Sequence, residues 1–176
     1  MQANTMQKLE AEMLAHIGAC CLENCTTAWV DYANPLLPSE IAKHGARVVL
    51  PSEGDAALPS SELIIAAAAP DANLRHNCVL LVPIPNLVHD FMPAKAALQS
   101  LSACFSILMP FMLWNLPANL PLWFAFASNA AHPLASLCLQ RAELLDGLDW
   151  YSAAMHQSAF ALPPYLARAL RGIVRN

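Results

Sequence analysis

Apolar residues run through this chain in long blocks. Residues 96–140 contain no Asp, Glu, Lys or Arg, and the centre of that block, 101–127, reads LSACFSILMPFMLWNLPANLPLWFAFA. Every charged side chain lies on one flank or the other. Ahead of the block, Met6, Leu9, Met13, Ile17 and Cys20 recur at three-four spacing, which predicts an amphipathic helix from Asn4 to Cys25. Asn4 with Gln7 resembles a capping box, and Gly18 weakens the helix by about 1 kcal/mol relative to Ala.

Residues 26–59 change texture. Pro35, Pro38, Pro51 and Pro59 punctuate them, with Gly45 and Gly54. A short helix fits Ser39 to His44. The run Arg47-Val-Val-Leu50 is extended, an edge strand or nothing regular, and Glu53-Gly54-Asp55 reads as an exposed loop.

From Ser60 onward the spacing is read as helical. Ser60 or Ser61 opens a helix that Pro70 stops. Asp71 opens the next, with Leu74, Cys78 and Leu81 on one face; Cys78 to Val82 fits a buried strand equally well. Pro93 suits a first helical turn, and Leu98, Leu101, Phe105, Leu108 and Met112 continue that helix until Pro110 bends or ends it. Asn119 caps a helix through Leu122, Phe126 and Ala130. Pro133 opens another, which Gly147 closes. Asp149 caps a helix through Phe160, and Pro164 begins the last, running to Val174.

A membrane span needs about 20 consecutive apolar residues. Pro110 interrupts the nearest candidate, and Asn115, Pro117, Asn119 and Pro121 follow it. The centre therefore reads as the interior of a folded domain. The expected fold is all-α: one compact multi-helix domain over 1–176, with an N-terminal helix (1–25), a proline-rich irregular segment (26–59) and a helical body (60–176).

The composition is 57% hydrophobic, above the usual 45–50% or so, which predicts a partner covering part of the surface. The net charge is −4 without a basic stripe, so nucleic acid is not an expected ligand. Glu10, Glu12 and Glu23 break what would be the apolar core of a secretory signal. Six cysteines in a chain of this size fit reduced thiols in a cytoplasm.

Phosphate-cradling glycine motifs are absent, as are Gly-x-Ser-x-Gly and His-Glu-x-x-His. His16, Cys20, Cys21 and Cys25 come nearest to a metal set, but Cys21 is turned about 100° from Cys20 on a helix, and buried thiols explain them better. His89-Asp90 are adjacent and do not face each other on a helix. His132 precedes a helix start, and His156 is expected half-buried near Trp150 and Tyr151. No catalytic residue, cofactor or metal is expected, and no enzyme.

Three blocks carry a family resemblance: Tyr32-Ala-Asn-Pro35-Leu-Leu-Pro-Ser-Glu40, Ser61-Glu-Leu-Ile-Ile-Ala-Ala67 and Leu162-Pro-Pro-Tyr-Leu-Ala-Arg-Ala-Leu170. Together they resemble type III secretion accessory proteins of the YscK, MxiK and OrgA kind. That resemblance implies a non-enzymatic cytoplasmic adaptor joining a sorting platform to an inner-membrane ring protein, with membrane contact only through partners. A small helical immunity or chaperone-like binding protein is the alternative. The N-terminal residues 1–62 carry eight acids against three bases, so Glu10, Glu12, Asp31 and Glu40 are the expected protein-binding residues.

Overall fold

The computed structural model describes residues 2–53, 58, 60–71, 73–115 and 120–175. Gly54, Asp55 and Asn119, to which a loop and a cap were assigned, lie outside the described residues. The fold is mixed α/β, not all-α. Its centre is a six-stranded sheet in the order β2-β1-β3-β4-β6-β5. The strands are β1 (Thr27–Asp31), β2 (Arg47–Val49), β3 (Leu63–Ala66), β4 (Val79–Ile84), β5 (Ile107–Asn115) and β6 (Leu120–Ser128). The first four run parallel, and β6 is antiparallel to both β4 and β5.

Among the described residues six helices surround the sheet: α1 (Gln2–Ala19), α2 (Leu37–Ala42), α3 (Phe91–Ser102), α4 (Leu139–Glu143), α5 (Ala153–Ala159) and α6 (Pro164–Ala169). The segment expected to be irregular holds β1, α2, β2 and a 3₁₀ turn, Pro51–Glu53. The expected helical body holds four strands, and β2 lies at the sheet edge.

Alternate strand residues supply two cores. Val30, Leu63, Leu81, Phe111 and Phe126 face α1 and α5. Trp29, Ile64, Leu80, Val82 and Ala125 face α3 and α6. A sheet covered on both faces needs apolar residues at every position, so it shows no alternation in sequence. That is why the uncharged block resembles buried helix. Phe105 and Trp123 are buried as expected, while Trp114 is exposed and sits in β5. No helix among the described residues is long and apolar enough to cross a membrane.

Prolines that were read as helix breaks fit inside strands. Pro110 lies in β5, which has a strand neighbour on one side only. Pro83 lies in β4 beyond Leu81, the last residue paired to β3. Each lacks an N–H where no ladder partner needs one.

Candidate active site

In an open parallel sheet, a ligand crevice forms outside the carboxyl ends of the strands, where the strand order reverses. Here β1 has β2 on one side and β3 on the other. The loops leaving β1 and β3 therefore diverge, and their ends define the crevice. Residues 31–36 form one lip and residues 67–71 the other. The two touch at the base, where the Ala67 N–H donates to the Asp31 carbonyl at 2.6 Å.

The first lip is held by side chains. Asn34 is buried; its Nδ2 donates to the Gln7 carbonyl of α1 at 2.8 Å and its Oδ1 accepts from the Leu36 N–H at 3.0 Å. Such an Asx turn lets the chain reverse into α2 without glycine. Tyr32 donates its hydroxyl to Glu10 Oε2 at 3.2 Å. Burial raises the Glu10 carboxyl pKa above the usual carboxylate range, against the pull of Tyr32 and Asn34. Burial also raises the Tyr32 hydroxyl, with the Glu10 charge adding to it. Asp31 stands exposed at the end of β1.

The second lip is plain. Ala67, Ala68 and Ala69 are exposed, followed by Pro70 and an exposed Asp71. Each lip thus carries one exposed carboxylate, Asp31 on the first and Asp71 on the second.

A second polar cluster lies inside, between α1, α2 and the C-terminal segment. Glu12 is fully buried and its carboxylate accepts backbone N–H bonds from Asp149, Trp150 and Tyr151. His16 is also fully buried, with Nε2 3.2 Å from Glu40 Oε2 and Nδ1 2.8 Å from His44 Nε2. Lys43 reaches the same Glu40 oxygen at 2.7 Å. A carboxylate only accepts, so neutral His16 donates through Nε2 and accepts from His44 at Nδ1. His44 Nδ1 is then a bare lone pair, and it is buried without a partner.

Desolvation, with the charges of His44 and Lys43, pushes His16 down to about 3. Desolvation and the Arg141 and Lys43 charges take His44 to about 4. His156, expected half-buried, is fully buried: its Nε2 donates to the Pro133 carbonyl at 2.9 Å and its Nδ1 accepts from the Tyr151 hydroxyl at 3.0 Å. Burial takes it to about 4.

The four acids expected to bind proteins are not brought together on one surface. Glu12 and Glu40 are buried in the inner cluster, Glu10 is half-buried against Tyr32, and Asp31 alone is exposed. Cys20, Cys21 and Cys25 are buried free thiols. Cys21 donates to the Pro133 carbonyl at 3.3 Å, and burial pushes the Cys25 thiol up to about 12. Among the described residues, no group of three or more His, Cys, Asp or Glu side chains could hold a metal ion. His89 and Asp90 are exposed, and His132 Nδ1 accepts the N–H groups of Leu134 and Ala135. Sequence reasoning missed the crevice itself. The available signal was a pair of short β-branched runs, Thr27–Asp31 and Leu63–Ala66, each followed by a turn containing proline.

No family model matches the chain. Polyamine aminopropyltransferase of Helicobacter acinonychis is 27% identical over 124 residues, covering 65% of this chain and 47% of that protein. The enzyme of the same name from a Helicobacter pylori strain is 30% identical over 93 residues, covering 52% of this chain and 34% of that protein. The chain thus spans half or less of the length of these curated relatives. Among solved structures, spermidine synthase from Thermotoga maritima superposes with a TM-score of 0.75 at 16% identity, over 92% of this chain and 73% of that one. A spermidine synthase in complex with the transition state analogue AdoDATO superposes at 0.77 and 17%, over 94% and 75%. The fold is that of these spermidine synthases.

These likenesses overturn the secretion-platform resemblance and what it implied. The non-enzymatic adaptor, its platform and ring partners and the helical immunity or chaperone-like alternative all required a helical protein. The relatives in sequence are instead named polyamine aminopropyltransferases, and the solved structures that share this α/β fold are spermidine synthases.

Proposed function

We propose that this chain is an aminopropyltransferase that moves an aminopropyl group from an S-adenosyl sulfonium donor to an amine, in the cytoplasm. One observation carries the reading: relatives found by sequence and neighbours found by fold belong to the same reaction class. The crevice between the lips is the place for the donor, since open α/β sheets take nucleoside ligands at this point.

The reaction asks for three things. Donor and amine must be aligned, water must be kept away, and the attacking nitrogen must arrive without its extra proton. The amine lone pair forms the new C–N bond, the C–S bond breaks, and its electrons leave on a neutral thioether. In water both reactants are cations; the amine gives one proton to water before it attacks, and the donor keeps its sulfonium charge. Asp31 and Asp71, one on each lip, supply negative charge where the cations converge. Tyr32 and Glu10 brace the first lip from behind.

The test is direct. Purified chain is incubated with the decarboxylated donor and a panel of mono- and diamines, and products are read by mass for one added aminopropyl group. Transfer to at least one amine, reduced tenfold or more in Asp71→Asn, supports the reading. A folded protein that transfers to none overturns it.

A further inference from the structure

A parallel crossover normally carries a helix that covers one face of the sheet. The link from β3 to β4, residues 67–78, contains no helix among its described residues. A cavity of about 510 Å³ lies under it. Leu80 and Val82 of β4, Ala97 and Leu101 of α3, Phe105 and the alanine lip at 67–69 line it, together with the neutral polar side chains of Asn73, Ser100 and Asn129. That lip is also one side of the crevice, so the two spaces share a wall. No residue lining the cavity is charged.

We propose that this cavity receives the hydrocarbon tail of the acceptor, making the acceptor an apolar monoamine of about butyl to octyl size instead of a polyamine. The volume falls within the range of about 300–1,000 Å³ typical of small-molecule sites. An alkyl tail gains from each methylene removed from water. A second ammonium at the far end of the same tail enters a space whose polar side chains, Asn73, Ser100 and Asn129, are all neutral, with no counter-charge to replace its water. The amine head stays at the alanine lip, next to Asp71. The reaction assigned to the amine head rests on the aminopropyl-transfer reading; the fit of the tail does not.

The experiment is calorimetric titration of the full chain with butylamine, hexylamine and octylamine, and with 1,6-diaminohexane. The expected result is a Kd falling roughly three- to fourfold per added methylene, with the diamine at least tenfold weaker than hexylamine. Ala97→Trp fills the cavity and flattens the chain-length series. The exposed Cys104 thiol lines the cavity mouth and gives a readout that needs no cavity variant. In a Cys138→Ser background, saturating hexylamine slows maleimide labelling of Cys104 several-fold. A flat series, a diamine as tight as hexylamine, or unchanged Cys104 labelling overturns the assignment. Transfer to diamines with a flat series rejects the cavity and keeps the aminopropyltransferase reading. A length-dependent series without any transfer keeps the cavity and counts against that reading.

Discussion

Glu12, midway along α1, accepts the backbone N–H of Trp150 at 2.7 Å, joining residues 138 positions apart. The same carboxylate takes the N–H groups of Asp149 at 3.0 Å and Tyr151 at 3.1 Å. Three backbone donors that would otherwise be buried and unpaired converge on one side chain. Glu12→Gln removes the charge and turns an NH₂ towards donors. The expected loss is about 2–4 kcal/mol of stability, read as a lowered urea midpoint with an unchanged slope. A midpoint within experimental error of the parent shows that these bonds do not hold the C-terminal segment to α1.

The three buried histidines set a pH limit. Each is held well below its ordinary 6.5, to about 3 for His16 and about 4 for His44 and His156. The unfolded chain therefore binds more protons than the folded one below pH 6.5. Stability is full above that pH and falls as pH drops towards 4. At pH 5, His16 alone accounts for about 2 kcal/mol, being 1.5 pH units or so below the unfolded value. The groups facing this pair are Glu40 of α2, Lys43 just beyond its end and the Tyr151 ring against His16, with Arg141 acting on His44. Urea midpoints at pH 7.5 and 5.0 check this, and equal midpoints at the two pH values contradict it.

Gly18 explains how closely α1 approaches the sheet. A Cβ there would stand 2.3 Å from Leu63 Cδ1 and 3.4 Å from Leu81 Cδ1. Leu63 is fully buried in β3, so its isobutyl end has to shift within a packed core to make room. Gly18→Ala gains about 1 kcal/mol of helix propensity, and the overpacking costs about 1–3 kcal/mol. The net expectation is a thermal midpoint lowered by a few degrees. A rise would mean that α1 lifts freely and that the sheet does not require this contact.

The same contact shows what the sequence made legible. The three-four spacing of Leu9, Met13 and Ile17 correctly announced α1, and Leu98 with Leu101 correctly announced α3. Ser39 fell within the predicted short helix, now α2. The strands were hidden by their burial. Phe124, Phe126, Ala125 and Ala127 alternate between the two cores, yet all are apolar, so no polar face marks the period. Leu108 and Met112 happened to extend the spacing of α3 although they belong to β5. Pro110 strengthened that error, because an edge strand tolerates a proline that a helix would not. Cys78 to Val82 carried a strand alternative that β4 bears out, although the length of the run did not decide between strand and helix. The crevice was illegible for a different reason. It is made by a reversal of strand order, and Asp31 and Asp71 are brought to opposite lips only by that topology.

Asn34 links the fold to the proposed chemistry. Its side chain spans from the Gln7 carbonyl in α1 to the Leu36 N–H at the entrance of α2. Asn34→Ala breaks both bonds and leaves the first lip of the crevice held to α1 by the Tyr32–Glu10 hydrogen bond. The expected stability loss is about 1–3 kcal/mol. Binding should suffer beyond that, because a lip that moves must be ordered again each time a ligand is held. A thioadenosine, the kind of molecule left when the aminopropyl group departs, should bind at least tenfold more weakly to Asn34→Ala at a temperature where both proteins are fully folded. Asn34→Asp keeps the acceptor for Leu36 but loses the donor to Gln7, so it should fall between the two. Equal thioadenosine affinity in all three proteins would place the ligand away from this lip and move the donor site elsewhere on the sheet.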